Sequence, residues 1–236
     1  MANWITSVAR ALVVAAHPDD EVLGCGGLIV RLLEVGVEVR VLILSGATTS
    51  RASDVAVSAN VTQVRNEPCP ELALAMSRLG VTRYEQLHLA DNRFDCIPLL
   101  DLVRAVEARQ ASFEPDLVLC HDASDLNVDH QRVHQACITA FRPLPGSRCA
   151  RLLSFEIPSS TEYSDPSLLR FSPNSFVDVT SVLSRKLEAL SAYASELRAY
   201  PHPRSLEAVS LRAKIRGVEV GLPAAEAFRV IRDVAR

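Results

Sequence analysis

Residues 11–27 read ALVVAAHPDDEVLGCGG, and they decide the fold. Six apolar residues in a row, Ala11, Leu12, Val13, Val14, Ala15 and Ala16, have the length and the branched side chains of a buried strand. His17-Pro18 ends the run, because proline has no amide hydrogen for a sheet ladder. Gly24, Gly26 and Gly27 then lack the side chains that would hold a following helix away from the strand. The unit so described is a strand, a charged turn and a closely packed helix.

Working outward, the same alternation recurs. Residues 37–44 (VEVRVLIL), 85–89, 116–120 and 152–157 are further short runs rich in Val, Ile and Leu. Residues 26–35, 61–79, 99–110 and 130–141 carry apolar residues at three- and four-residue spacing. Strands alternating with helices of this length predict an α/β fold, a mostly parallel sheet flanked by helices. Residues 45–60 are small, polar and aperiodic, and read as a long surface loop. After a polar stretch and a strand near 176–179, the last 55 or so residues predict helices at 183–193, 206–215 and 224–234, broken at Pro201-His202-Pro203. No repeat or linker divides the chain. The expectation is one domain over 1–236, with a helical C-terminal extension from about 181 packed on it.

The 236 residues carry 25 Lys and Arg against 28 Asp and Glu, a net charge of −3. That balance creates no field for a polyanion, so a nucleic-acid partner is excluded from the reading. Residues 181–236 hold ten basic and six acidic groups, a mild excess that suits a solvated helical face. Six dispersed cysteines without a C-x-x-C pair read as reduced thiols of a cytoplasmic protein. The apolar run at 11–16 is far shorter than the ~20 residues of a membrane span and has no basic stretch before it, so no membrane anchor is expected. Self-association into a homo-oligomer is left open.

In an open α/β sheet, ligands bind beyond the carboxyl ends of the strands. The first strand delivers His17, Asp19, Asp20 and Glu21 there. Burying such a cluster without a cation would cost several kcal/mol, so it is either a metal site or a solvated polar turn. His17 and Asp20, three apart across a tight turn, can converge on one ion and leave Asp19 free as a base. A catalytic Zn²⁺ takes three N or O ligands and keeps one position open. Of the six histidines, His130 best completes the set, because Asp129 before it is a good helix N-cap at the tip of the fourth strand. His134, one turn on, serves either as a second ligand of a helical pair or as support behind His130. His121 ends the fourth strand, and either lines the site or bonds a neighbouring loop. Asp91-Asn92-Arg93, after the third strand, are short polar residues at a strand tip, and either bind a ligand or form a hydrophilic turn. Gly24-Cys25-Gly26-Gly27 lacks the third glycine of a dinucleotide loop and follows a run of acids, so close helix packing explains it better than phosphate binding. Cys25 reads as a small buried residue.

These residues resemble the PIG-L/LmbE family of zinc-dependent N-acetylglucosaminyl deacetylases. AHPDDE with its glycine-rich turn (16–27) and D-H-x-x-V-H (129–134) are similar to that family's two signature motifs, in the right order. Residues 172–178 (SPNSFVD) and 201–205 (PHPRS) resemble a bacterial subset. The resemblance implies a Rossmann-like sheet, with zinc on His17, Asp20 and His130 and Asp19 as general base. It implies hydrolysis of the acetyl group from a small N-acetylated amino sugar, as glycoside, sugar nucleotide or disaccharide. The chain departs from the family's usual H-P-D-H, having Asn127-Val128-Asp129-His130. Asn127 can donate a hydrogen bond to an oxyanion but cannot exchange a proton, so Asp19 alone or His121 must move protons. Arg65 is the nearest match to an arginine the family carries after its long loop. The rival readings are a deacetylase or amidase of low-molecular-weight thiol biosynthesis, and a non-catalytic sugar- or nucleotide-binding domain.

Overall fold

The computed structural model describes residues 4–46, 68–165, 167 and 169–235. The elements are β1 (Arg10–Ala15), α1 (Asp20–Glu34), β2 (Glu38–Ser45), α2 (Pro70–Leu79), β3 (Arg83–Leu89), α3 (Leu99–Phe113), β4 (Leu117–His121), α4 (Val128–Ala140), β5 (Arg151–Phe155), β6 (Ser175–Asp178), α5 (Leu183–Leu190), α6 (Leu206–Val218) and β7 (Ala225–Asp233). They form a seven-stranded sheet in the order β3-β2-β1-β4-β5-β7-β6. The first five strands are parallel to one another, and β7 runs antiparallel to both β5 and β6.

Strand alternation splits the core in two. Ala11, Val13 and Ala15 of β1 join the apolar layer under α1, α2 and α5, while Leu12, Val14 and Ala16 join the one under α3 and α4. Both sheet faces are therefore covered, as a parallel sheet requires. The chain winds from β1 outward to β3, then returns to the other side of β1 as β4. The carboxyl ends of β1 and β4 thus flank the point where the winding reverses, the place where a ligand crevice opens in such a sheet.

Three sequence expectations change. The helix expected over 224–234 is instead a strand, β7. The Ala-rich start favours a helix locally, but Phe228 and Val230 pair with Phe155 and Leu153 of β5, and Glu226 pairs with Val177 of β6. Tertiary pairing decides the state of such a segment. Helix α1 begins at Asp20, six residues earlier than its apolar period suggests, and is broken at Cys25 (φ −147°, ψ 21°). The helix expected over 61–79 is seen as α2, opened by Pro70. Residues 61–67 and 47–60 of the expected loop lie outside the described residues.

The break in α1 explains the glycines. Gly27 and Leu28 start a new helical segment, and their free N–H groups each donate at 2.7 Å to the Glu226 carboxylate, which also receives Lys186 Nζ at 2.6 Å. A helix N-terminus attracts an anion. Here that anion is the protein's own side chain, which leaves no room for a phosphate. Gly24 is needed for contact alone, since a Cβ there would stand 2.3 Å from Phe155 Cδ2. Gly24→Ala is expected to lower stability by about 1–3 kcal/mol, read as a fall in melting temperature.

Candidate active site

Asp19 sits between β1 and α1 with φ 110° and ψ −31°, a left-handed conformation that costs a non-glycine residue on the order of 1–3 kcal/mol. Its surroundings hold it there. Its N–H donates to Glu21 Oε2 (3.1 Å), and its carbonyl accepts from Val22 and Leu23. Glu21 Oε1 in turn accepts from the Tyr193 hydroxyl at 2.5 Å. Burial pushes the Glu21 carboxyl up to about 8.

Three donor atoms face one another beside Asp19. His17 Nδ1, His130 Nε2 and Asp20 Oδ2 form a triangle with all three sides 3.2 Å. The other nitrogen of each ring meets carboxylates. His17 Nε2 is 3.0 Å from Asp129 Oδ2 and 3.0 Å from Asp91 Oδ1, and His130 Nδ1 is 3.0 Å from Asp125 Oδ1. With the ring protons on those outer nitrogens, two lone pairs and a carboxylate oxygen converge with no hydrogen between them. A tetrahedral ion with bonds of about 2.0–2.1 Å spaces its ligands about 3.3 Å apart, so the triangle fits such an ion. The charges agree. Burial opposes a charge on His130, yet Asp20 and Asp125 overcome it and push the imidazole up to about 9. Burial likewise opposes ionisation of Asp20, but His130 holds its carboxyl well below the usual range. This field stabilises a cation at the triangle.

A second trio, His17 with Asp91 and Asp129, also lies close together. There Asp129 already accepts from the backbone N–H groups of Asn92 (2.7 Å) and Phe94 (2.9 Å), and serves to hold the His17 ring. Asp125 does the same for His130 while accepting from the Ser160 and Thr161 hydroxyls and the Asn127 N–H. Asp125→Asn is expected to weaken metal affinity by about 10 to 100 fold in chelator competition, with the ligands themselves intact.

The triangle opens on a pocket of about 170 Å³, whose walls include His17, Asp19, Glu71, Asp91, Asn92, Asn127, Tyr193, Glu196 and Arg204. Asp19 is buried at its floor. Burial pushes its carboxyl up to about 7, while Arg204, with Nη1 3.0 Å from Asp19 Oδ2, pulls it down.

The structure thus brings together His17, Asp19, Asp20, Asp91, Asn92, Asn127, Asp129 and His130. Other expectations shift. Asp129 is not the N-cap of α4; Asn127 is, its Oδ1 accepting from Asp129 N at 2.8 Å, because Asp129 is buried against His17. His121 is fully buried and off the pocket wall: its Nε2 accepts from Ala16 N (2.9 Å) and its ring stacks on His130. Burial first, and then His130, hold its imidazole well below the usual range, which fits a neutral ring. His134 Nδ1 meets the His121 carbonyl at 2.9 Å and reaches no ligand position. Arg93 is exposed and absent from the wall, and Arg65 lies outside the described residues. Sequence reasoning missed Arg204 and Asp125. The first was visible only as the PHPRS stretch, the second only as one acid among several in 121–130.

Residues 12–141 match the family model PIG-L, described as GlcNAc-PI de-N-acetylase. The chain is 29% identical over 191 residues to the uncharacterized deacetylase YaiS of Escherichia coli, covering 78% of this chain and 90% of that one. It is 24% identical over 240 residues to a 1D-myo-inositol 2-acetamido-2-deoxy-alpha-D-glucopyranoside deacetylase of Gordonia bronchialis, covering 80% and 85%. Its fold superposes with a TM-score of 0.70 on N,N'-diacetylchitobiose deacetylase from Pyrococcus horikoshii, at 20% identity and covering 97% and 85%. With the matched region spanning both strand tips that carry the triangle, the chain belongs to the PIG-L family.

Proposed function

We propose that this protein is a zinc-dependent N-deacetylase that hydrolyses the acetamido group of a small N-acetylglucosamine-type sugar, through the ligands His17, Asp20 and His130. The observation that carries the reading is the triangle of converging lone pairs beside a buried, unligated carboxylate. A sugar-binding module needs no such carboxylate next to a metal, which argues against the non-catalytic reading. When bound, zinc supplies a Lewis acid and lowers the pKa of a water to about 7.

The remaining steps belong to the chain. Asp19 accepts a proton from the attacking water as its oxygen adds to the acetyl carbon. The carbonyl oxygen becomes an oxyanion, towards which the Asn127 amide donates from the pocket wall. Asp19 then returns the proton to the departing nitrogen as the C–N bond breaks, leaving acetate and a free amine. A buried carboxylate beside the attacking water, itself not a ligand, can serve both transfers. His121, neutral and enclosed, takes no part. Asp91 and Asn92 stand on the wall where sugar hydroxyls would lie.

Deacetylation within thiol biosynthesis would use the same residues, so the acceptor must be found by assay. Among the described residues no helix is long and apolar enough to cross a membrane. Six unpaired cysteines support a reducing, cytoplasmic setting. Amine release from a panel of N-acetyl monosaccharides, disaccharides, inositol glycosides and nucleotide sugars tests the reading. At least one should be deacetylated, and chelator should stop it; inertness toward the whole panel, or chelator-insensitive release, contradicts it.

A further inference from the structure

We propose that Arg204 is the principal oxyanion-stabilising group of this site, in place of the imidazole that Asn127 lacks; this rests on the deacetylase reading above. Four carboxylates, Asp19, Glu71, Asp91 and Glu196, line the pocket, and among the described residues Arg204 is the only lysine or arginine there. A negative charge developing on the acetyl oxygen in such surroundings needs a positive partner on the protein side. Asn127 is poorly equipped for this. Its Oδ1 is spent on the helix cap, its Nδ2 lies 3.5 Å from Asn92 Oδ1, and the amide carries no net charge.

Arg204 is held from three directions. Its N–H donates to His202 Nδ1 (3.1 Å), its Nε to Ser159 Oγ (2.7 Å) and its Nη1 to Asp19 Oδ2 (3.0 Å). Nη1 also lies 3.9 Å from Glu196 Oε2, whereas Nη2 makes no hydrogen bond among the described residues, which leaves a donor of this pocket-lining side chain for a bound ligand. A guanidinium stays protonated throughout the working pH range and donates in a rigid plane. It therefore substitutes for the imidazole in charge but not in proton transfer, and both proton steps fall to the Asp19 it touches. One guanidinium also keeps the base and the oxyanion donor in register.

The test compares wild type with Arg204→Met and Arg204→Lys, all metal-loaded, on whichever panel sugar the wild type deacetylates. It uses as probe that sugar's N-methylphosphonyl analogue, which carries a tetrahedral centre with a permanent oxyanion. Removing one oxyanion donor lowers turnover by about 10² to 10³ fold. Arg204→Met should show that loss in kcat, a similar loss in analogue affinity, a change in KM within about threefold and unchanged metal content, since the charge exists only in the transition state. Arg204→Lys, which keeps the charge, should fall between. A kcat loss with analogue binding unaltered would show that Arg204 only positions Asp19 and would overturn the proposal, as would near-normal turnover in Arg204→Met. A wild type that releases no amine from any panel sugar overturns the deacetylase reading itself, whereas an active wild type with an equally active variant overturns this inference alone.

Discussion

Asp19→Asn should keep its metal and lose about 10² to 10⁴ fold in turnover, the usual worth of a general acid-base group. The substitution preserves size, and the bonds that fix the backbone, from Asp19 N–H to Glu21 and from Val22 and Leu23 to the Asp19 carbonyl, do not involve the altered oxygens. None of the three triangle atoms belongs to Asp19, so occupancy should be untouched. What vanishes is the capacity to take a proton from water and return it to the leaving nitrogen. Metal analysis and steady-state kinetics on the same preparation read both quantities. Turnover close to wild type would remove Asp19 from the proton path and leave, among the described residues, no other buried, unligated base on the pocket wall to replace it.

The second large effect follows from the ligands. His17→Ala, Asp20→Ala and His130→Ala each delete one corner of the triangle, and should reduce bound zinc from about one ion per chain to a small fraction, with activity falling alongside. Asp20 is the most telling corner, because it supplies the charge that favours a cation between two imidazoles. Asp20→Asn keeps the shape and hydrogen bonding of the turn, so metal loss in that variant cannot be blamed on misfolding. Full occupancy in all three alanine variants would mean that the ion binds elsewhere.

Much of this site was legible in the sequence because its donors sit at strand tips, and strand tips are set by short-range patterns. The apolar run before His17 and the one before His121 fixed two such tips, and the winding order made them neighbours. What stayed hidden depends on long-range packing. The pairing that makes β7 a strand involves β5 and β6, some 50 to 80 residues earlier, against a locally helical composition. The choice of Asn127 over Asp129 as helix cap depends on Asp129 being buried against His17, 112 positions away in sequence. Arg204 lies 185 positions from the Asp19 it contacts, and nothing in PHPRS itself points back to HPDDE. The glycine-rich turn was readable as a packing device, but its occupant, the Glu226 carboxylate, belonged to a segment whose strand character the local pattern concealed.

The most direct test of the central claim is a zinc titration of the chelator-stripped protein, following amine release from the best panel substrate. Turnover should be absent without metal, rise linearly and reach a plateau at about one equivalent per chain, with His130→Ala flat across the same range. Full turnover in the stripped protein, or a response to zinc that survives in His130→Ala, would contradict the claim.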